Sequence, residues 1–238
     1  MAWAPTVAAK CWCQSVGLDL MRQYSVPRFV GSLCVVLALL LSPAVRADDA
    51  AAVRLKALLQ PLVTLRADFS QSIFSADGYQ IQNSEGEMYV ARPGKLRWII
   101  APPMEQWLIS DGSTLWLYDP DLEQVIIRPF QQSVADTPAM LFGGGADQLE
   151  ENYSVSVSSS EAGTSYVLKP LASTGLYEQI TLVFAGEMPT QIIIVDSLAQ
   201  RTEIMLSNAQ RNTALSAEQI DALFNFIPPP GVDILQND

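Results

Sequence analysis

Asp119, Asp121 and Glu123 recur at two-residue spacing in the run YDPDLE. Carboxylates so placed could act as a glycosidase-like acid–base pair or as calcium ligands. The run lacks the glycine and the length of an EF-hand loop, and a solvated hairpin turn accounts for it better. Ser110-Asp111-Gly112 likewise reads as a turn, not as a nucleophile with its base. Gly143, Gly144 and Gly145 follow a helical pattern instead of a strand, so they do not form a phosphate-binding loop. The chain contains no histidine, and its three cysteines, Cys11, Cys13 and Cys34, all lie near the N-terminus. Histidine bases, thiol nucleophiles downstream of Cys34, and zinc sites built on His or Cys are thereby removed. No cofactor or metal is expected, nor catalysis.

What remains is an arginine among apolar neighbours. Strand alternation places Met88, Val90 and Arg92 on one face of a strand. If the Pro93-Gly94-Lys95 connection keeps parity, Leu96, Trp98 and Ile100 join that face, while Tyr89, Arg97 and Ile99 point away. A guanidinium in an apolar setting needs hydrogen-bond acceptors. The last turn of a short helix offers free carbonyls at its negative end. Pro138, Ala139, Met140, Leu141 and Phe142 read as such a helix, with Pro in its first turn. Arg92 would then latch that helix over the apolar face and release it when a ligand enters. A surface arginine on an edge strand beside a turn is the simpler account from spacing alone. Nor does the pattern distinguish a filled core from a lined cavity, and Trp98, Trp107 and Trp116 fit either.

These residues need a frame. Ala50 to Phe69 reads as a helix with an apolar stripe, broken or kinked at Pro61. The period then shifts to two. Strands are predicted at 87–90, 96–100, 106–109, 115–118 and 124–127. After the central helices (138–142 and about 146–152) they return at 154–158, 165–169, 178–184, 191–195 and 202–206. A last strand is predicted at 223–227, following a helical turn begun by Ser216. Pro93-Gly94, Pro102-Pro103, Asp111-Gly112 and Asp119-Pro120 punctuate the run. The prediction is a mainly β chain of about eleven antiparallel strands, curled so that helices cover an apolar concave face.

Upstream of this domain, Met21 opens a second plausible start. Arg22 and Arg28 precede an uncharged run from Phe29 to Leu41, and Ser42-Pro43 and Val45-Arg46-Ala47 follow. This reads as a leader over residues 1–47 with a secretory signal, cut after Ala47. The run is shorter than the ~20 residues of a membrane span. Residues 48–238 then form a single domain. The cut removes Lys10, Arg22, Arg28, Arg46 and Asp19. Ten basic and 24 acidic residues remain, for a net charge of −14. Such a chain does not bind nucleic acid or anionic headgroups by charge. The exported part has no cysteine to be acylated, so it is expected to be soluble and not itself lipid-anchored.

LRADFSQ (65–71), GEMYVARPGKLRW (86–98), LISDGSTLWLYDPDLEQV (108–125), DTPAMLF (136–142) and FNFIPPPGVDIL (224–235) together resemble the LolA family of periplasmic lipoprotein carriers. The resemblance implies an unclosed, strongly curved antiparallel β-barrel with a helical lid over its apolar concave side. It implies a monomeric periplasmic chaperone. Such a chaperone accepts acylated lipoproteins from an inner-membrane ABC transporter and delivers them to the outer-membrane acceptor LolB. Arg92 matches the family's latch arginine, and Leu96 matches a position on its apolar wall. The missing acylation cysteine separates the chain from LolB, which shares the fold. Another amphiphile, a glycolipid or polyene lipid, would suit the same walls.

Overall fold

The computed structural model describes residues 47–130, 140–144, 149–161, 163–172 and 176–236. The predicted leader lies outside this set apart from Ala47. Helix α1 spans Ala47–Leu59. Ala51, Leu55 and Leu59 recur every fourth residue on its buried face. Pro61 has no amide proton to continue the ladder, and the chain turns at Gln60 and Pro61.

The stripe that suggested helix as far as Phe69 belongs instead to strand β1, Thr64–Phe74. A spacing of four satisfies a strand as well as a helix, because four is a multiple of two. Leu65, Ala67 and Phe69 are buried in alternation, which is the strand's period. The predicted helix therefore ends ten residues early, and a strand takes its place.

The other strands are β2 (Gln80–Ala91), β3 (Lys95–Ile100), β4 (Gln106–Asp111), β5 (Thr114–Asp119) and β6 (Gln124–Pro129). After the central helices come β7 (Tyr153–Ser160), β8 (Gly163–Pro170), β9 (Tyr177–Ala185), β10 (Met188–Asp196), β11 (Arg201–Arg211) and β12 (Asp233–Gln236). All twelve form one sheet in the order β12-β6-β5-β4-β3-β2-β1-β11-β10-β9-β8-β7. Every pairing is antiparallel except β12 on β6, which is parallel. β7 and β12 are the two edges, so the sheet is strongly curved but unclosed, with helices covering an apolar concave face. Among the described residues it has twelve strands where about eleven were predicted.

Its C-terminal part departs most from the prediction. Residues 223–227 are not a strand. Leu223 and Phe224 finish helix α4, Ala217–Phe224 in chain order, which starts at Ser216 with a capping box to Gln219. Phe224 and Phe226 are both buried, which reproduces a strand's alternation. Pro228, Pro229 and Pro230 then supply no amide protons for a ladder, and pairing begins only at Asp233.

Two short helices precede α4. They are α2 (Met140–Gly143) and α3 (Leu149–Asn152). The main core lies between the concave face and the helices: Leu55 and Leu59 of α1, Leu141 and Phe142 of α2, and Leu149 of α3 meet residues from β1, β2, β3 and β7–β11. A smaller cluster covers the convex face. There Ile109, Val125 and Phe226 are buried with Trp107, Trp116 and Tyr118 around them.

Candidate functional site

Register decides which side chains share the concave face. β1, β2 and β3 align Ala67 with Met88 and Trp98, and Leu65 with Val90 and Leu96. Directly opposed residues project to one side, so the hairpin through Arg92, Pro93 and Gly94 keeps parity. Met88, Val90, Leu96 and Trp98 are all buried in the main core, and Ile100 packs against it partly exposed. Tyr89, Arg97 and Ile99 face the other way. Arg97 lies 5.1 Å over the Trp107 ring on the convex side and donates to Leu223 O at 3.4 Å. Trp98, Trp107 and Trp116 therefore divide: Trp98 is concave, whereas Trp107 and Trp116 belong to the convex cluster.

One glycine shapes the wall. Gly86 stands opposite Phe69 on one side and Ile100 on the other. A Cβ there would clash with Ile99 O and with the Phe69 ring. The bare backbone lets Phe69 lie flat and stack on Trp98, with ring centroids 4.1 Å apart. That stack is a large, stiff apolar surface.

The helices lie over this wall. Leu141 and Phe142 of α2 and Leu149 of α3 are buried against it, and α1 runs along β7. Pro138 and Ala139 lie outside the described residues, and Met140 opens α2. The Arg92 side chain donates from Nε to Phe142 O at 3.2 Å, at the free-carbonyl end of α2. A second tie comes from Gly94, whose backbone N–H donates to Gly143 O at 2.8 Å. The Arg92 amide donates in turn to Val63 O at 2.9 Å, fixing the turn to the start of β1. Sequence reasoning found the arginine but missed Gly94, because a backbone donor leaves no trace in residue type. The available sign was its place after Pro93 in a turn, where a φ of +70° favours glycine.

The acidic residues of YDPDLE serve their own turn. Asp119 caps its own turn by accepting from Leu122 N at 3.1 Å, and Asp121 and Glu123 are exposed. Tyr153 packs on the core, and burial alone pushes its hydroxyl pKa up, so it stays neutral. Among the described residues no cluster of His, Cys, Asp and Glu could hold a metal ion. No helix among them is long and apolar enough to cross a membrane.

An unclosed β-sheet whose apolar concave face is packed under short helices, α2 among them bonded through two of its carbonyls, defines the class of protein. Comparison gives it a family. Residues 60–226 match the family described as outer membrane lipoprotein carrier protein LolA, and the chain belongs to that family. The outer-membrane lipoprotein carrier protein of Azotobacter vinelandii is 37% identical over 204 residues, covering 86% of this chain and 96% of the relative. That of Pseudomonas aeruginosa PAO1 is 37% identical over 210 residues, covering 88% and 99%. Among solved structures, a LolA superfamily protein from Nitrosomonas europaea aligns with a TM-score of 0.44 and 12% identity, over 72% of this chain and 96% of the other.

Proposed function

We propose that this protein is a periplasmic carrier of acylated lipoproteins and performs no catalysis. It receives cargo released from the inner membrane by an ABC transporter, shields the acyl chains against the concave wall, and surrenders them to the outer-membrane acceptor LolB. Residues 1–47 serve as its export leader, and residues 48–238 are the single carrier domain. The observation that carries this reading is an apolar wall covered by a short helix held down by apolar packing and by hydrogen bonds to its last carbonyls. Met88, Val90, Leu96 and Trp98 form the wall, and Arg92 and Gly94 make the ties.

The energetics favour such a device. Each buried CH₂ contributes about 0.8 kcal/mol, so the chains of a triacylated cargo cost tens of kcal/mol if left in water. A permanently open apolar cleft would hold them too tightly to pass them on. Here Leu141, Phe142 and Leu149 occupy the wall when the lid is shut. Cargo must displace them, and their return favours its departure. The closed lid lowers apparent affinity by the free energy of closure. This exchange of one apolar partner for another calls for no nucleotide.

The test is transfer of a fluorescently acylated lipoprotein from inner-membrane vesicles containing the transporter into solution and on to LolB liposomes. Transfer that depends on this protein is the expected result. If the folded protein leaves cargo in the vesicles while the transporter hydrolyses ATP, the lipoprotein reading fails. Native mass spectrometry would then show whether the wall holds a glycolipid or polyene lipid instead.

A further inference from the structure

The latch turn rests on a second turn, and one buried hydroxyl joins them. Ser110 is fully buried on the concave face, opposite Leu96 on one side and Leu115 on the other. An apolar residue would suit that place better unless the hydroxyl is needed. Its Oγ donates to Gly94 O at 3.0 Å and accepts from Gly112 N at 3.1 Å. Lys95 Nζ adds a bond to Asp111 O at 2.6 Å. The turns meet backbone to backbone: a Cβ on Gly112 would lie 2.9 Å from Pro93 O, and one on Gly94 would lie 3.0 Å from Gly112 Cα. Gly94 is thus gripped through its carbonyl while its N–H reaches Gly143 O at 2.8 Å.

We propose that Ser110 is a positioning residue of the lid: by fixing the Gly94 carbonyl it aims the Gly94 N–H at the end of α2, making a backbone latch beside Arg92. A glycine at this φ has freedom that a side chain would not leave it, so its orientation must be imposed from outside. The proposal rests on the lid reading above, yet it concerns the cargo-free protein and is read without cargo.

Amide hydrogen exchange of the purified protein tests it. Ser110→Ala should speed exchange at Gly94 about tenfold, the loss of roughly one buried hydrogen bond, while Ile192 in the middle of β10 keeps its rate. Ser110→Cys preserves size but bonds weakly, and should also expose Gly94. Unchanged exchange at Gly94 in both variants overturns the proposal. So does wild-type protection in the Cys variant, which would leave the residue only a shape to fill. Equal acceleration at Gly94 and Ile192 would mark a general loss of stability and overturn it too. Failure of the carrier reading appears elsewhere, as absent cargo transfer by the wild-type protein.

Discussion

In the proposed carrier, Arg92 Nε ties the lid through the Phe142 carbonyl. A bond to a carbonyl breaks without leaving a buried anion behind. Arg92→Leu should therefore leave cargo uptake intact and slow release to the acceptor about tenfold, the worth of roughly one charge-assisted hydrogen bond. Transfer rates to acceptor liposomes check this, and a variant that releases at the wild-type rate would end the latch reading. Gly86 makes a different kind of claim. Its missing side chain is filled by Ile99 O and the Phe69 ring. Gly86→Ala should destabilise the protein by about 1–3 kcal/mol through overpacking, seen as a lower urea midpoint. Both residues were visible in the sequence, but to different degrees. Arg92 stood out as a charge on an apolar face. Nothing about Gly86 in GEMYV told of the ring that would need its space.

Elements were legible where one period stood alone. β3, β4 and β5 lie within a residue or two of their predicted spans, because alternation there has no helical rival and turns bound each strand. β1 was lost because Leu65 and Phe69 satisfy both periods, and only its two neighbours, β2 and β11, settle the matter. β12 was lost for another reason. Four exposed residues of no marked pattern become a strand only because β6 offers a free edge. What fastens that end is Phe226, whose ring lies 5.6 Å from Tyr118 and 6.3 Å from both Trp107 and Trp116. Phe226→Ala should cost about 3 kcal/mol and loosen the C-terminal segment first. Limited proteolysis would then cut between Pro228 and Gln236 before it touches the rest of the sheet, and uniform digestion would argue against a separate fastening.

At the scale of the whole molecule, the proposed carrier makes lid and cargo compete for one wall, and this separates two otherwise similar mutations. Phe142 and Leu96 are both fully buried in the same core, and truncating either leaves a cavity costing about 2–5 kcal/mol in the closed, cargo-free protein. Their consequences for cargo differ. In the proposed carrier Leu96 belongs to the wall, so Leu96→Ala removes surface that both the lid and the acyl chains use. The free protein is weakened, but the lid and the cargo lose similar contacts, and the two losses offset in apparent affinity. Phe142 belongs to the lid, so Phe142→Ala weakens closure alone. The open state gains population, cargo meets less competition, and apparent affinity rises while the free protein becomes less stable. Urea unfolding of the cargo-free variants, paired with the half-time of lipoprotein release to acceptor liposomes, separates the two. Slower release from Phe142→Ala and little change from Leu96→Ala is the pattern that competition requires. If both variants release faster, α2 is part of the cargo's binding surface instead of its competitor, and the closed lid is not what drives the cargo out.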